Sequence, residues 1–252
     1  FFAVTSISLT SFAGSCAGHE SGELVRVFDG CQGSQKSGRP RVQGGEEMKV
    51  GLITTTVNIP TVLSLYRKLD PDVRFFVALD KKTPIAAENF ISDLPNAEMV
   101  WHGITKWACS DLIGWNTIAR RNIALLEALK WGAEVIITID DDNIPLNDWY
   151  FGVSSLFEGA FHGIMVDETE WFDVGALLDP VASHRGFPYN RKQSPSFTSV
   201  TGARVGGAAG ICLGDPDTDA VTRIACAPAV HRVSELLRAG IVVDPRRTHT
   251  VF

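Results

Sequence analysis

From Lys49 onward the hydrophobic and polar positions switch between two periods. "KVGLITTTV" (residues 49–57) is a short apolar run that ends in threonines and predicts a strand. "IPTVLSLYRKL" (59–69) follows, with Val62, Leu65 and Tyr66 at helical spacing and Pro60 near the start, so it predicts a helix. "VRFFVALD" (73–80) predicts a second strand, "PIAAENFISDL" (84–94) a second helix and "AEMVWHGI" (97–104) a short third strand. "NTIARRNIALLEALKWG" (116–132) predicts the strongest helix. Ile118, Leu125 and Leu129 share one side, Ala119, Ile123 and Leu126 lie beside them, and Gly132 is placed to end it. "EVIITID" (134–140) is a fourth strand.

Strands that alternate with helices pair in parallel through crossovers. The unalternating runs "VIITI" and "FFVAL" fit strands buried on both faces. The predicted fold is therefore α/β: a mostly parallel, Rossmann-like sheet flanked by helices, in a single domain. Residues 1–47 break the pattern. They hold 8 of the 23 glycines and no sustained periodicity, and a fresh start stands at Met48. Residues 1–47 are expected to be a disordered, upstream or expression-derived extension, with the folded domain running from 48 to 252.

Composition narrows the function classes. The chain has 252 residues, 45% of them hydrophobic and 21% charged, the balance of a protein with a sizeable core. A net charge of -6 with no basic stripe argues against a nucleic-acid partner. No apolar run approaches the roughly 18 residues needed to span a membrane. The five cysteines are widely spaced with no C-x-x-C, which predicts free thiols and a cytoplasmic setting.

"VIITIDDDN" (135–143) carries the candidate chemistry, because a buried strand runs into Asp140, Asp141 and Asp142. In open α/β sheets ligands bind beyond the carboxyl ends of the strands. Thr54-Thr55-Thr56 and Asp80 end two other strands at that rim. Adjacent carboxylates raise one another's pKa unless a cation holds them ionised. Hard oxygen ligands suit Mg²⁺ or Mn²⁺, which take one or two carboxylates plus substrate phosphates. Alternation along an extended segment points Asp140 and Asp142 one way, as a metal pair, and Asp141 the other. The competing reading is a solvated acidic turn that caps a helix through Asp142 or Asn143. Arg120 and Arg121 lie on the preceding helix, where a guanidinium suits either the acidic cluster or a diphosphate.

A second acidic cluster, "GDPDTDA" (214–220), holds Asp215, Asp217 and Asp219. An EF-hand would need Gly and Glu where Ala220 and Cys226 stand. Asp217 and Asp219 are instead candidates for a general base toward an attacking hydroxyl. No P-loop occurs, and His231 and His249 stand alone.

Three blocks together carry a resemblance: "VIITIDDDN", "RGFPYNRK" (185–192) and "GICLGDPDTDA" (210–220). The first resembles the D-x-D motif of GT-A nucleotide-diphospho-sugar glycosyltransferases. All three, in this order, resemble the plant reversibly glycosylated polypeptides, or UDP-arabinopyranose mutases, and the related STELLO-type transferases. The likeness spans roughly residues 48 to 252, and "GDPDTDA" is similar to the STELLO-type block in particular. The resemblance implies a GT-A domain, Mn²⁺ or Mg²⁺, and a nucleotide diphosphate sugar donor, a UDP-sugar first among them, with an unknown acceptor. It implies that Thr54, Thr55 and Asn58 line the nucleoside pocket, and that Asp80 accepts a bond from base or ribose. Asp140 and Asp142 would hold the metal, and Asp141 would face the sugar or a basic partner. Arg185 and Arg191 match arginines of the family block, tied there to self-glycosylation or to clamping the diphosphate. Relative to that family the chain stops early, so its carboxyl end is expected to be truncated. The expected function is metal-dependent glycosyl transfer. The alternatives are a mutase acting on a nucleotide-linked pentose and a catalytically silent sugar-nucleotide-binding subunit. A nucleotidyltransferase would show a basic glycine-rich signature where "TTTVNIP" stands.

Overall fold

The structure is a computed structural model that describes residues 6–8, 24–28, 48–101, 107–145, 161–167, 169–203, 205–210, 217–226, 232–234, 241–244 and 246–251. The sequence predicts one domain from Met48. The chain divides into two compact units: Thr5–Ser11 with Arg41–Asn147, and Phe1–Val4 with Phe12–Pro40 and Asp148–Phe252. Two short segments of the expected extension, β1 (Ser6–Ser8) and β2 (Leu24–Phe28), are strands.

The unit containing residues 41–147 is built on four parallel strands: β3 (Val50–Thr56), β4 (Arg74–Leu79), β5 (Ala97–Val100) and β6 (Val135–Thr138). β3 pairs with β4 from Gly51↔Arg74 to Thr56↔Leu79, and with β6 from Val50↔Val135 to Ile53↔Thr138. β4 pairs with β5, and β1 adds to the far side of β6, antiparallel, with Ser6 opposite Thr138. In chain order the parallel strands lie 3-2-1-4, the arrangement of an open doubly wound sheet. The apolar runs are buried as expected: Phe75 to Leu79 are all fully buried, and so are Val135 and Ile137.

All three predicted helices are present, on shifted faces. The first is α1 (Leu63–Leu69), which buries Leu63 and Tyr66 and leaves Leu65 exposed. The second is α2 (Ile85–Ser92), and a short α3 (Cys109–Ile113) precedes the third. That third helix opens with a 3-10 turn at Ile118–Arg120 and continues as α4 (Arg121–Trp131). α4 buries Ile123, Ala124 and Ala128 against Ile53, Phe76 and Ile136, while Ile118 and Leu129 are exposed. The cause is close packing. At Gly51 a Cβ would stand 3.5 Å from the Cβ atoms of Ala128 and Ala133, so small residues face the sheet. Gly132 ends α4 in the left-handed region (φ 87°), with its amide bonded to Leu129 O and that of Ala133 to Ala128 O.

The second unit carries a mixed sheet. β10 (Ser196–Ala203) pairs antiparallel with β7 (Phe161–Asp167), and β7 pairs in parallel with β13 (Ile241–Val243). β13 runs antiparallel to β2, which pairs in parallel with β11 (Val205–Gly210). Two small ladders flank this: β8 (Trp171–Asp173) with β14 (His249–Val251), and β9 (Leu178–Asp179) with β12 (Arg232–Val233). Val166, Phe172, Val174, Leu178, Ala182, Ile241 and Val243 form the core, and α5 (Ala220–Cys226) follows the second acidic block.

Gly175 meets this core through backbone. A Cβ there would lie 2.6 Å from the carbonyl oxygen of Ala182, which cannot retreat as a side chain does. Gly175→Ala is expected to cost about 1–3 kcal/mol through overpacking. Urea unfolding checks this: the midpoint falls with the slope unchanged, and an unshifted midpoint contradicts the close approach.

Candidate ligand site at the strand ends

In a 3-2-1-4 sheet the topological switch point lies between the first and fourth strands. Here those are β3 and β6, and Thr54-Thr55-Thr56 and Asp140-Asp141-Asp142 stand at their carboxyl ends. The sheet therefore brings the two groups together by adjacent strands, not by chain proximity.

The first link is between Thr56 and Asp141. Thr56 is buried, and its Oγ1 donates to the Asp141 carboxylate across 85 residues of chain. The same oxygen accepts from the Asn58 amide at 3.0 Å, which folds the strand end back on itself. Asp140 is held from the other side. Arg121 Nη1, at the start of α4, donates to Asp140 Oδ1 at 2.7 Å and to Ile139 O at 3.2 Å. Asn143 Oδ1 accepts from the Asp140 amide at 2.9 Å, and the Asn143 amide donates back to Asp140 O at 3.3 Å. Asp142 is exposed and has no hydrogen-bond or ion-pair partner among the described residues.

These contacts correct the reasoning that alternation orients the aspartates. β6 ends at Thr138, and Asp141 and Asp142 lie in a turn closed by Asn143. Asp141 meets the Thr56 hydroxyl while Asp140 meets Arg121. Among the described residues no three His, Cys, Asp or Glu side chains gather around one metal-sized point. Carboxylate oxygens such as those of Asp140 and Asp142 are the hard donors that Mg²⁺ or Mn²⁺ takes.

Asp80 is buried beside this pair of strands. Its Oδ2 accepts from the Asn116 amide at 2.7 Å and its Oδ1 from the Lys82 amide at 3.4 Å. Its own amide donates to Thr83 Oγ1, which donates to Thr56 O at 2.6 Å. Thr83 and Asn116 thus lock Asp80 to the end of β3. The spacing of Thr83 from Asp80 is a turn signature legible in sequence, whereas Asn116 arrives from a distant loop. Thr55 Oγ1 donates to Ala78 O at 2.9 Å, and Thr54 is fully buried with its hydroxyl on Thr55 O at 3.4 Å. Both hydroxyls are spent on backbone. Asn58 is exposed. Arg120, unlike Arg121, is fully buried, with Nη1 on Ser110 and its plane against Trp115.

The remaining candidates lie in the second unit. Arg185 Nη2 pairs with Asp217 Oδ2 at 2.9 Å, both well exposed, and the Arg185 amide donates to Asp217 O at 3.0 Å. Arg191 pairs with Glu170 at 2.9 Å. Asp219 is buried and caps α5. It accepts from the amides of Val221 and Thr222 at 2.8 and 3.1 Å, from Thr222 Oγ1 at 2.6 Å and from the Tyr189 hydroxyl. Burial pushes its pKa up, but the bonds from Thr222, Tyr189 and the two amides outweigh this and hold it well below the usual carboxylate range. A carboxylate so bonded has little basicity to lend, so of the two candidate bases only Asp217 keeps an uncommitted oxygen. His249 lies against the Trp171 ring, 4.9 Å between centroids. His231 and Asp215 lie outside the described residues.

Asp219 yields a pH-dependent expectation. A pKa depressed in the folded state contributes stability that is full above the unfolded value of about 3.9 and fades as pH falls toward the folded one. Asp219→Asn keeps a capping oxygen but loses the charge, and is expected to lower stability by about 1 kcal/mol at pH 7, the difference between hydrogen bonds to a charged and to a neutral group. Calorimetry across pH reads it: the gap in Tm from the parent narrows below pH ~4, and a gap constant with pH contradicts the capping charge.

No protein-family model matches this chain, and no curated protein matches it.

Proposed function

We propose that the unit containing residues 41–147 binds a nucleotide diphosphate sugar with a divalent cation, and that the protein is a metal-dependent glycosyltransferase of GT-A type. The observation that carries this reading is the acidic triplet at the switch point of a 3-2-1-4 sheet, its Asp142 exposed and without a partner among the described residues. Asp140 and Asp142 would hold Mn²⁺ or Mg²⁺, which when bound neutralises a departing diphosphate. Among the described residues Arg121 bonds only through Nη1, to Asp140 and the Ile139 carbonyl, and in this reading its other nitrogens serve a phosphate of the same ligand. Asp141 is not a ligand contact in this reading but a brace, fixed to Thr56 so that the turn keeps its shape. Thr54 and Thr55 likewise shape the floor, and nucleoside recognition falls to Asn58 and to the buried carboxylate of Asp80, already aligned by two backbone amides. Positioning and electrostatics supply the rate in such a site.

Thermal denaturation with UDP and UDP-sugars, with and without Mn²⁺, tests it. A ligand at 100 times its Kd stabilises by about 2.7 kcal/mol, so a clear rise in Tm is expected that requires both nucleotide and metal. Asp142→Asn should abolish the metal-dependent part. Equal stabilisation of parent and variant contradicts the assignment. Release of sugar from the donor then separates a transferase from a subunit that only binds.

A further inference from the structure

Arg120 is fully buried, yet two of its three guanidinium nitrogens have no hydrogen-bond partner among the described residues. Nη1 donates to Ser110 Oγ at 3.0 Å and to Ser110 O at 3.3 Å, both in α3. The flat of the group lies on Trp115, with Cζ 4.2 Å from the ring centroid. What remains is Nε and Nη2. These two N–H groups share one edge of the guanidinium plane. They form the parallel fork that takes both oxygens of a carboxylate or phosphate.

A buried charged donor left unmade is costly, and native structures rarely keep one without a purpose. The nearby carboxylates do not fill the fork. Asp80 and Asp111 favour the charged form of Arg120 against the burial that lowers its pKa, but neither is hydrogen-bonded to it. Asp80 is turned to the amides of Asn116 and Lys82, each of its oxygens accepting one of them.

Trp115, the ring against the guanidinium, is carried by the segment 114–117. Its backbone is in the left-handed region at Gly114 (φ 74°) and at Asn116 (φ 56°). Asparagine is among the non-glycine residues that adopt that region most readily, and here its amide is also bonded to Asp80. A second cation is at hand: Lys81 Nζ lies 4.5 Å from the centroid of the same ring, on an exposed side chain.

We propose that the Arg120 fork is a built-in oxyanion receptor that takes a phosphate or carboxylate group, with Lys81, on the same Trp115 ring, as the outer charge. The receptor is separate from the Asp140–Asp142 pair and needs no divalent cation. It stands whether or not the unit supports glycosyl transfer.

Calorimetric titration of the full chain in a chloride buffer with chelator tests it, with inorganic phosphate and acetate as separate probes. Saturable binding of either probe by the parent is expected, phosphate alone marking a phosphate-bearing ligand and acetate alone a carboxylate-bearing one. Arg120→Lys keeps the charge but loses the fork and is expected to weaken binding at least tenfold, while Asp93→Asn, at an exposed position, leaves it unchanged. Lys81→Met, on an exposed side chain and so no threat to folding, is expected to weaken binding severalfold. A parent that titrates with neither probe overturns the proposal. So does an Arg120→Lys protein that binds as the parent does or, should that variant not fold, a Lys81→Met protein that does so.

Discussion

Three consecutive carboxylates at the end of a buried strand are the constraint around which this unit is arranged. Two like charges 4 Å apart near a protein surface repel by about 4 kcal/mol. The fold answers two of the three. Arg121 meets Asp140 with a 2.7 Å ion pair, and the Thr56 hydroxyl reaches Asp141. Asp142 is exposed and meets neither among the described residues. The arrangement holds more negative charge than its own contacts offset, at the place where an open sheet binds ligands.

The strand order makes those answers available. β3 and β6 are neighbours only because the sheet runs 3-2-1-4, and that adjacency carries Thr56 to Asp141. α4 closes the loop from the other side. The 3-10 turn into α4 places consecutive arginines differently: Arg121 reaches the rim, while Arg120 turns inward to Ser110 and Trp115. The two guanidiniums are the positive counterpart of the triplet and of Asp80, and both are set by how one helix starts.

The sheet was largely legible in the sequence because its signal is local. Unbroken apolar runs at 50–53, 75–79 and 135–137 have no other home than buried strands. Helix faces were less legible. The leucine stripe Leu125–Leu129 carries more hydrophobicity, but the sheet takes the alanines because only they permit close approach at Gly51. The aspartates were found as a cluster, yet their orientation was not, since β6 stops before them and a long-range hydroxyl decides it. Asn116 gave no signal at all, because its contribution is a backbone amide. In the second unit the spacing of "DTDA" hinted at a base, but Asp219 at the head of α5 does a cap's work, and that depends on where Tyr189 and Thr222 converge.

The most direct measurement is a crystal structure with Mn²⁺ and UDP, the metal placed by its anomalous signal. The account predicts a peak at bonding distance, roughly 2 Å, from carboxylate oxygens of Asp140 and Asp142, with diphosphate oxygens completing the shell. A diphosphate bound away from the ends of β3 and β6, or a triplet still held only by Arg121 and Thr56 with no metal beside it, would contradict it.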